Sequence, residues 1–101
     1  MYNIAYMKLK IDQIREKVVP ILKEAGVTRS SIFGSYVRGE AREGSDIDML
    51  VEVPRGTGLF GFIGLKHKLE DVLNKKVDLV TYNSIHPRLR DRIMDEQVRI
   101  L

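Results

Sequence analysis

Two aspartates, Asp46 and Asp48, stand at the head of an apolar run that continues to Val53. On a β-strand, residues i and i+2 point to the same face, with their Cα atoms about 6.6 Å apart. The two carboxylates can therefore converge on one hard cation or bridge two. Because close carboxylates repel each other unless a positive charge lies between them, the pair is typical of a site for Mg²⁺ that carries a nucleotide's phosphates.

A glycine–serine pair, Gly34 and Ser35, precedes the aspartates and could bind phosphate. The pattern predicts a short strand over residues 31–33 and a short helix over residues 35–41, with Ser35 as its N-cap. Free N–H groups and a hydroxyl at a helix N-terminus form an anion site, which a glycine lets a ligand approach closely. Arg38, one turn later, could bind phosphate or hold the aspartate loop by an ion pair.

Two further polar residues, Ser45 and Asp78, are candidates for the same site. Ser45 could contact phosphate or fix the turn before Asp46, and the turn is the favoured interpretation. The pattern predicts a short apolar strand over residues 77–81. A lone buried charge on Asp78 in this strand would cost free energy. A metal ion shared with the other aspartates would neutralise Asp78; an ion pair with a lysine or arginine is the alternative. Gly39 is expected to serve the backbone geometry.

The first half of the chain must supply a helix that covers these residues. Apolar residues at helical spacing predict that helix over residues 8–25, bent at Pro20 and ended by Gly26. Residues 1–7 show no clear pattern and are compatible with a flexible lead-in.

The second half alternates between helices and short strands, which is typical of an α/β fold with helices covering a sheet. The last helix begins at Pro87, which suits a first helical turn, and Leu89, Ile93 and Met94 are expected to face inward. The other predicted elements are a strand over 46–53, a loop over 54–58, a helix over 59–74, a turn over 82–84 and an edge strand over 98–101.

The composition narrows the classes of function. The 101 residues suffice for one domain with one core, so we expect a single domain over residues 1–101. The net charge of +3 suits an anionic ligand or an acidic partner, but is too small a bias to indicate nucleic acid. The absence of cysteine excludes disulfides and is compatible with the cytoplasm. We expect no secretory signal and no membrane span.

The whole pattern resembles the DNA polymerase β-like nucleotidyltransferase superfamily. More closely, it resembles the minimal nucleotidyltransferases that act as MntA-type antitoxins against HEPN-domain toxins. The resemblance covers residues 8–101, and its core is a Gly-Ser pair, ten residues and then Asp-x-Asp, with a third aspartate on a later strand. The matching residues are Gly34, Ser35, Arg38, Gly39, Ser45, Asp46, Ile47, Asp48 and Asp78.

The resemblance implies a mixed four-stranded nucleotidyltransferase core that transfers AMP from ATP with one or two Mg²⁺ ions. The implied acceptor is the active-site tyrosine of a HEPN toxin, which is an RNase; adenine and tyrosine both rest on the resemblance alone. A homo- or hetero-oligomer stays open. The implied catalytic and metal-binding residues are Asp46, Asp48 and Asp78, and the implied nucleotide-binding residues are Gly34, Ser35, Arg38 and Ser45.

Three other functions stay open. An inactive nucleotidyltransferase fold could block a toxin sterically, although the intact set of acids favours catalysis. An enzyme acting on a small hydroxyl-bearing molecule, such as an antibiotic, would need a dimer to build the acceptor pocket. Nucleic-acid binding through the basic last helix would depend steeply on salt concentration.

Overall fold

The computed structural model describes residues 4–101, with side chains from Lys10 onward. A 3₁₀ turn, Tyr82–Ser84, connects the third strand to the last helix. The order of helices and strands predicted from the sequence is confirmed. The elements are α1 (Ile4–Glu24), β1 (Arg29–Phe33), α2 (Ser35–Arg38), β2 (Ile47–Glu52), α3 (Leu59–Leu73), β3 (Val77–Thr81), α4 (Pro87–Glu96) and β4 (Val98–Arg99).

The strands form a four-stranded mixed sheet in the order β3-β2-β1-β4. Strand β1 runs antiparallel to both β2 and β4, whereas β2 and β3 are parallel. A parallel pair requires a crossover connection, and α3 provides it between β2 and β3. The predicted mixed sheet is therefore confirmed, and the strand order, which periodicity alone could not give, places β3 at one edge.

Helices α1 and α3 pack on one face of this sheet. Alternate residues of β2, namely Ile47, Met49 and Val51, point to that face and are buried with Val18 of α1 and Leu69 of α3. Burial of these apolar side chains is the main favourable contribution to the stability of the domain.

The opposite face of the sheet carries a smaller core. Leu50 of β2 is buried there with Tyr82, Ile85 and Ile93, the last of which belongs to α4. Because side chains alternate along a strand, Asp48 lies on the same face as Leu50. The acidic end of β2 is therefore on the α4 side of the sheet, away from the large helices.

Several predicted boundaries change at the N-terminal end. Helix α1 begins at Ile4, so the suggested flexible lead-in does not hold for residues 4–7, while residues 1–3 lie outside the described residues. Pro20 stays within α1 and is exposed, and the predicted bend at this residue stays a prediction. Helix α2 ends at Arg38 instead of extending to residue 41, because Gly39 adopts a left-handed conformation with φ 75°.

One prediction about the buried face of α4 is wrong. Leu89 is 45% exposed, whereas Ile93, one turn later, is buried as predicted. Tyr82 and Ile85, which precede α4, are the buried residues near its start, and Leu89 is not part of their cluster. In the described part of the chain, no helix is both long enough and apolar enough to cross a bilayer.

Candidate active site

Asp48 and Asp78 are partners in the register of two neighbouring strands. Strands β2 and β3 are parallel, and Asp48 pairs with Asp78 directly across them. Side chains at paired positions of adjacent strands point to the same face, and the strands are about 4.8 Å apart. Asp48 is half-buried and Asp78 is exposed. The sheet therefore brings together two of the three predicted acids at one end of the α4 face.

Asp46 lies immediately before β2 and is exposed. Burial first, and then the negative charges of Asp78 and Asp46, together raise the pKa of Asp48 to about 6, against the opposing charge of Arg38. In the described part of the chain, these three aspartates form no ion pair with a lysine or arginine. The cluster is therefore an acidic site without an ion-pair partner, whose repulsion Arg38 only partly opposes and a bound cation would relieve.

The donor set fits Mg²⁺, although not as a complete cage of protein ligands. Among the described side chains, no group of three or more His, Cys, Asp or Glu residues is arranged to hold a metal ion. Mg²⁺ is usually bound by one or two carboxylates, with substrate phosphates and water filling its other positions. Asp48 with one acidic neighbour matches that pattern, and binding by all three aspartates stays a prediction.

Gly34 lies directly against the carboxylate of Asp48. A Cβ atom placed on Gly34 would overlap Oδ2 of Asp48 and lie 3.0 Å from its Cγ. The φ angle of Gly34 is 80°, a left-handed conformation that glycine adopts without strain. Gly34 is required here both by the backbone conformation and by the space that Asp48 occupies.

The predicted N-cap role of Ser35 is wrong. Gly34 occupies the N-cap position, no side chain caps α2, and Ser35 is the first residue of the helix. The backbone carbonyl of Gly34 accepts hydrogen bonds from the N–H groups of Val37 and Arg38. Because the first N–H groups of a helix have no partner within it, Ser35 still lies where an anion could be bound.

Arg38 contacts two glutamates. Its Nε lies 2.9 Å from Oε1 of Glu40, and its Nη1 lies 3.1 Å from Oε2 of Glu96. Hydrogen bonds to Glu40 and then Glu96 raise the pKa of Arg38. The suggested ion pair of Arg38 with the aspartates is therefore not formed; its partners are Glu40, two residues later, and Glu96 at the end of α4.

Glu96, at the end of α4, is a residue that the sequence analysis missed. Its Oε2 accepts a hydrogen bond of 2.6 Å from the N–H of Gly34, and the side chain is only 13% exposed. An acid in the last turn of a helix is disfavoured by the helix dipole, but Asp95 lies in the same turn and is exposed, so no sequence signal singled out Glu96.

Ser45 and Gly39 serve the backbone. Oγ of Ser45 accepts a hydrogen bond of 2.8 Å from the N–H of Arg42, which fixes the turn that leads to Asp46. The N–H of Gly39 donates to the carbonyl of Ser35 and closes α2. The turn interpretation of Ser45 is confirmed, and its contact with phosphate stays a prediction.

A groove of about 760 Å³ opens beside Asp46, within the size range of about 300–1,000 Å³ that is common for ligand sites. Its lining includes Ser45, Lys75 and Lys76, but none of Gly34, Ser35, Asp48 and Asp78. Glu43, Glu70 and Asp71 also line it, so its acidic side chains outnumber its two lysines. The groove therefore adjoins one of the three acids and does not include the Asp48–Asp78 pair.

The sequence of this chain is similar to those of known proteins. The nucleotidyltransferase domain model matches residues 11–100. A Methanocaldococcus jannaschii protein named "putative protein adenylyltransferase" is 54% identical over 93 residues, covering 92% of this chain and 100% of the relative. Protein adenylyltransferase MntA of Thermococcus cleftensis is 41% identical over 75 residues, covering 74% of this chain and 76% of the relative.

A solved structure shares the fold as well. The crystal structure of a toxin–antitoxin with AMP-PNP matches with a TM-score of 0.75 and 25% sequence identity, covering 86% of this chain and 72% of that chain. The family match spans most of the chain and includes the paired acids of β2 and β3. The chain therefore belongs to the nucleotidyltransferase domain family, as a minimal nucleotidyltransferase of the protein adenylyltransferase type.

Proposed function

We propose that this enzyme transfers AMP from ATP to the tyrosine hydroxyl of a HEPN-domain toxin, and that it thereby acts as an antitoxin. The observation that carries the proposal is the register pair of Asp48 and Asp78 beside Gly34, with Asp46 two residues before Asp48. Such a cluster of uncompensated carboxylates suits a cation-bound polyphosphate.

The triphosphate of the nucleotide would lie near Gly34 and Ser35, against the acids of β2 and β3. The groove beside Asp46 adjoins this position, and Lys75 and Lys76 are its two cationic residues. The similar toxin–antitoxin structure was solved with AMP-PNP, an ATP analogue, which supports an adenine nucleotide and a toxin partner for this chain. Ser45 could donate its hydroxyl hydrogen to a phosphate while Oγ accepts from the Arg42 N–H, whereas Arg38 already directs Nε and Nη1 to two glutamates.

In the proposed reaction, the acceptor oxygen bonds to the α-phosphorus of ATP. The bond from that phosphorus to the bridging oxygen of the β-phosphate breaks, pyrophosphate leaves, and the hydroxyl proton passes to a carboxylate. Asp78 is the proposed proton acceptor, because it is exposed on the edge strand β3, where a protein acceptor could approach.

Asp46 and Asp48, with Asp78, would hold one or two Mg²⁺ ions. Bound Mg²⁺ would neutralise charge on the triphosphate as the leaving group departs. The residues of this chain would contribute mainly by positioning the two substrates and by setting the electrostatic environment.

A second candidate is an inactive nucleotidyltransferase fold that blocks the toxin by binding alone. One observation favours it: Glu96 already accepts hydrogen bonds from the Gly34 N–H and from the Arg38 guanidinium, so fewer donors remain for phosphate.

One experiment separates the two functions. The purified protein is incubated with Mg²⁺, a HEPN-domain toxin, and ATP labelled either at the α- or at the γ-phosphate. Transfer of the α-label alone to the toxin, lost in Asp48→Asn and in a toxin whose acceptor tyrosine is replaced by phenylalanine, supports AMP transfer. Neutralisation of the toxin by Asp48→Asn without any label would support the blocking function instead.

A further inference from the structure

The carboxylate of Glu96 connects the last helix to the turn after β1. Oε2 accepts the 2.6 Å hydrogen bond from the N–H of Gly34, while both carboxylate oxygens lie within 3.2 Å of Nη1 of Arg38. These contacts join residues that are 62 and 58 positions apart in the chain. We call this set of contacts, of Glu96 with Gly34 and Arg38, the Glu96 clasp.

Gly34 is thereby held between two carboxylates. Asp48 fills the space next to its α-carbon, and Glu96 accepts its N–H. The glycine cannot move toward β2 without colliding with Asp48, and it cannot move away from α4 without losing a charge-assisted hydrogen bond. The Glu96 clasp therefore sets how close the Gly34–Arg38 turn lies to the acids of β2.

The charges around Glu96 explain why an acid is retained at a helix end that disfavours it. The side chain is 13% exposed, and it is surrounded by Arg38 and by Arg92, whose Nε lies 3.7 Å from Oε1. A hydrogen bond from a backbone N–H to an ionised carboxylate is stronger than one between neutral groups. A neutral side chain could accept from Gly34, but it would lose the ionic attraction of Arg38.

We propose that Glu96 is a positioning residue of the active site, which holds the Gly34–Arg38 turn at the distance from Asp48 that nucleotide binding requires. Glu96 itself contacts neither the nucleotide nor the reacting atoms; it acts through Gly34 and Arg38. This role rests on the proposed nucleotide site. Groups that orient the residues of a metal site typically change metal affinity or activity by about 10- to 100-fold when removed, and we expect an effect of that size here.

The test compares Glu96→Gln and Glu96→Ala with Glu40→Gln in the full-length protein. Glu40 is the matched control, because it also pairs with Arg38, at 2.9 Å, but is 61% exposed and is not a partner of Gly34. Thermal unfolding identifies any variant that fails to fold. If Glu96→Ala does not fold, Glu96→Gln still tests the proposal, because glutamine keeps the size and shape of the side chain.

Two readouts are measured. The first is the chemical shift of the Gly34 amide proton, measured by NMR without any ligand. Both Glu96 variants lose the carboxylate acceptor, so this shift should move upfield in them. It should stay unchanged in Glu40→Gln, which keeps the acceptor. The second is the dissociation constant for AMP-PNP with Mg²⁺ by calorimetry, which should rise about tenfold or more in Glu96→Ala, less in Glu96→Gln, and less than about twofold in Glu40→Gln.

The outcomes distinguish the two proposals. If the wild-type protein binds AMP-PNP and both Glu96 variants bind it equally well, the positioning role is overturned while the nucleotide site stands. An unchanged Gly34 amide shift in both variants would overturn the Glu96 clasp itself. If the wild-type protein does not bind AMP-PNP with Mg²⁺, the proposed function fails and the positioning role fails with it.

Discussion

The α-carbon of Gly34 lies so close to Asp48 that the Asp48 carboxylate occupies the space a side chain at position 34 would need. Gly34 follows β1, and Asp48 belongs to the neighbouring antiparallel strand β2, where its register partner is Phe33. The glycine of the signature therefore has a physical role besides flexibility: it lets the turn after β1 reach the acid of β2.

Replacing Gly34 by alanine should disrupt the site. The new Cβ would collide with Asp48 and force a left-handed conformation on a residue with a side chain, so we expect a loss of about 1–3 kcal/mol in the free energy of unfolding and loss of AMP transfer. Chemical denaturation and the labelling assay measure the two effects. Gly44→Ala is the matched control, because Gly44 also has a positive φ, of 83°, but no atom lies within 4 Å of the place that its new methyl group would take. Equal activity in the two variants would contradict the proposed role of the contact.

Asparagine at Asp46 or Asp48 should abolish magnesium-dependent transfer of AMP. Each substitution keeps the size of the side chain but removes a negative charge that would bind the cation, so we expect the rate to fall by about a hundredfold or more. The fold should remain, because Asp46 is exposed and Asp48 is only half-buried. Circular dichroism checks the fold, and Asp91→Asn, which changes an exposed acid of α4, is the control. Full activity in either site variant would count decisively against the metal-site hypothesis.

The stability of the metal-free protein should depend on the ionisation of Asp48. Its pKa is raised from 3.8 to about 6 in the folded protein, by burial and by Asp78 and Asp46, with Arg38 opposing. A raised pKa means that the folded state binds the proton more tightly than the unfolded state does. The resulting stabilisation is fully present below pH 3.8 and is lost as the pH rises through about 6.

Urea denaturation in EDTA, from pH 4 to pH 7.5, measures this effect against Asp48→Asn. The free energy of unfolding of the wild-type protein should decrease relative to that of the variant across this range, since the variant has no charge to develop at position 48. Parallel pH profiles for the two proteins would rule out the raised pKa of Asp48.

Alanine at Ser45 should affect stability more than nucleotide affinity. The Ser45 hydroxyl accepts the hydrogen bond from the Arg42 N–H, so its removal should cost about 0.5–1.5 kcal/mol of unfolding free energy. If the turn is its main role, the KM for ATP should change by less than about threefold once unfolded protein is accounted for. A large rise in KM with unchanged stability would instead assign Ser45 to the phosphates.

The local parts of this site could be predicted from the sequence. The spacing of Asp46 and Asp48 on an alternating strand already placed both acids away from the core residue Ile47, and Ile47 is buried as expected. The role of Ser45 also follows from its immediate neighbours. The N-cap was misassigned by one residue, because Gly34 and Ser35 both suit a helix start and the left-handed φ of Gly34 cannot be read from composition.

The residues that the sequence analysis missed or misassigned depend on distant partners. Arg38 has its less exposed partner 58 positions away, in Glu96, and nothing within a helical turn of either residue indicates that pairing. Leu89 suited an inward position by helical spacing, but Tyr82 and Ile85 fill the core near the start of α4. Periodicity describes one element at a time, whereas the filling of a core depends on all elements that reach it.

The sequence by itself determined the order of helices and strands, the position of Asp48 on the strand face opposite Ile47, and the family signature, because these depend on side-chain periodicity and spacing within short segments. Only the tertiary structure decided that β3 lies next to β2, with Asp78 in register with Asp48, and that Glu96 reaches Gly34. The physical reason is that strand pairing and helix packing are chosen by the total burial of apolar surface over the whole chain, and no local pattern encodes that sum.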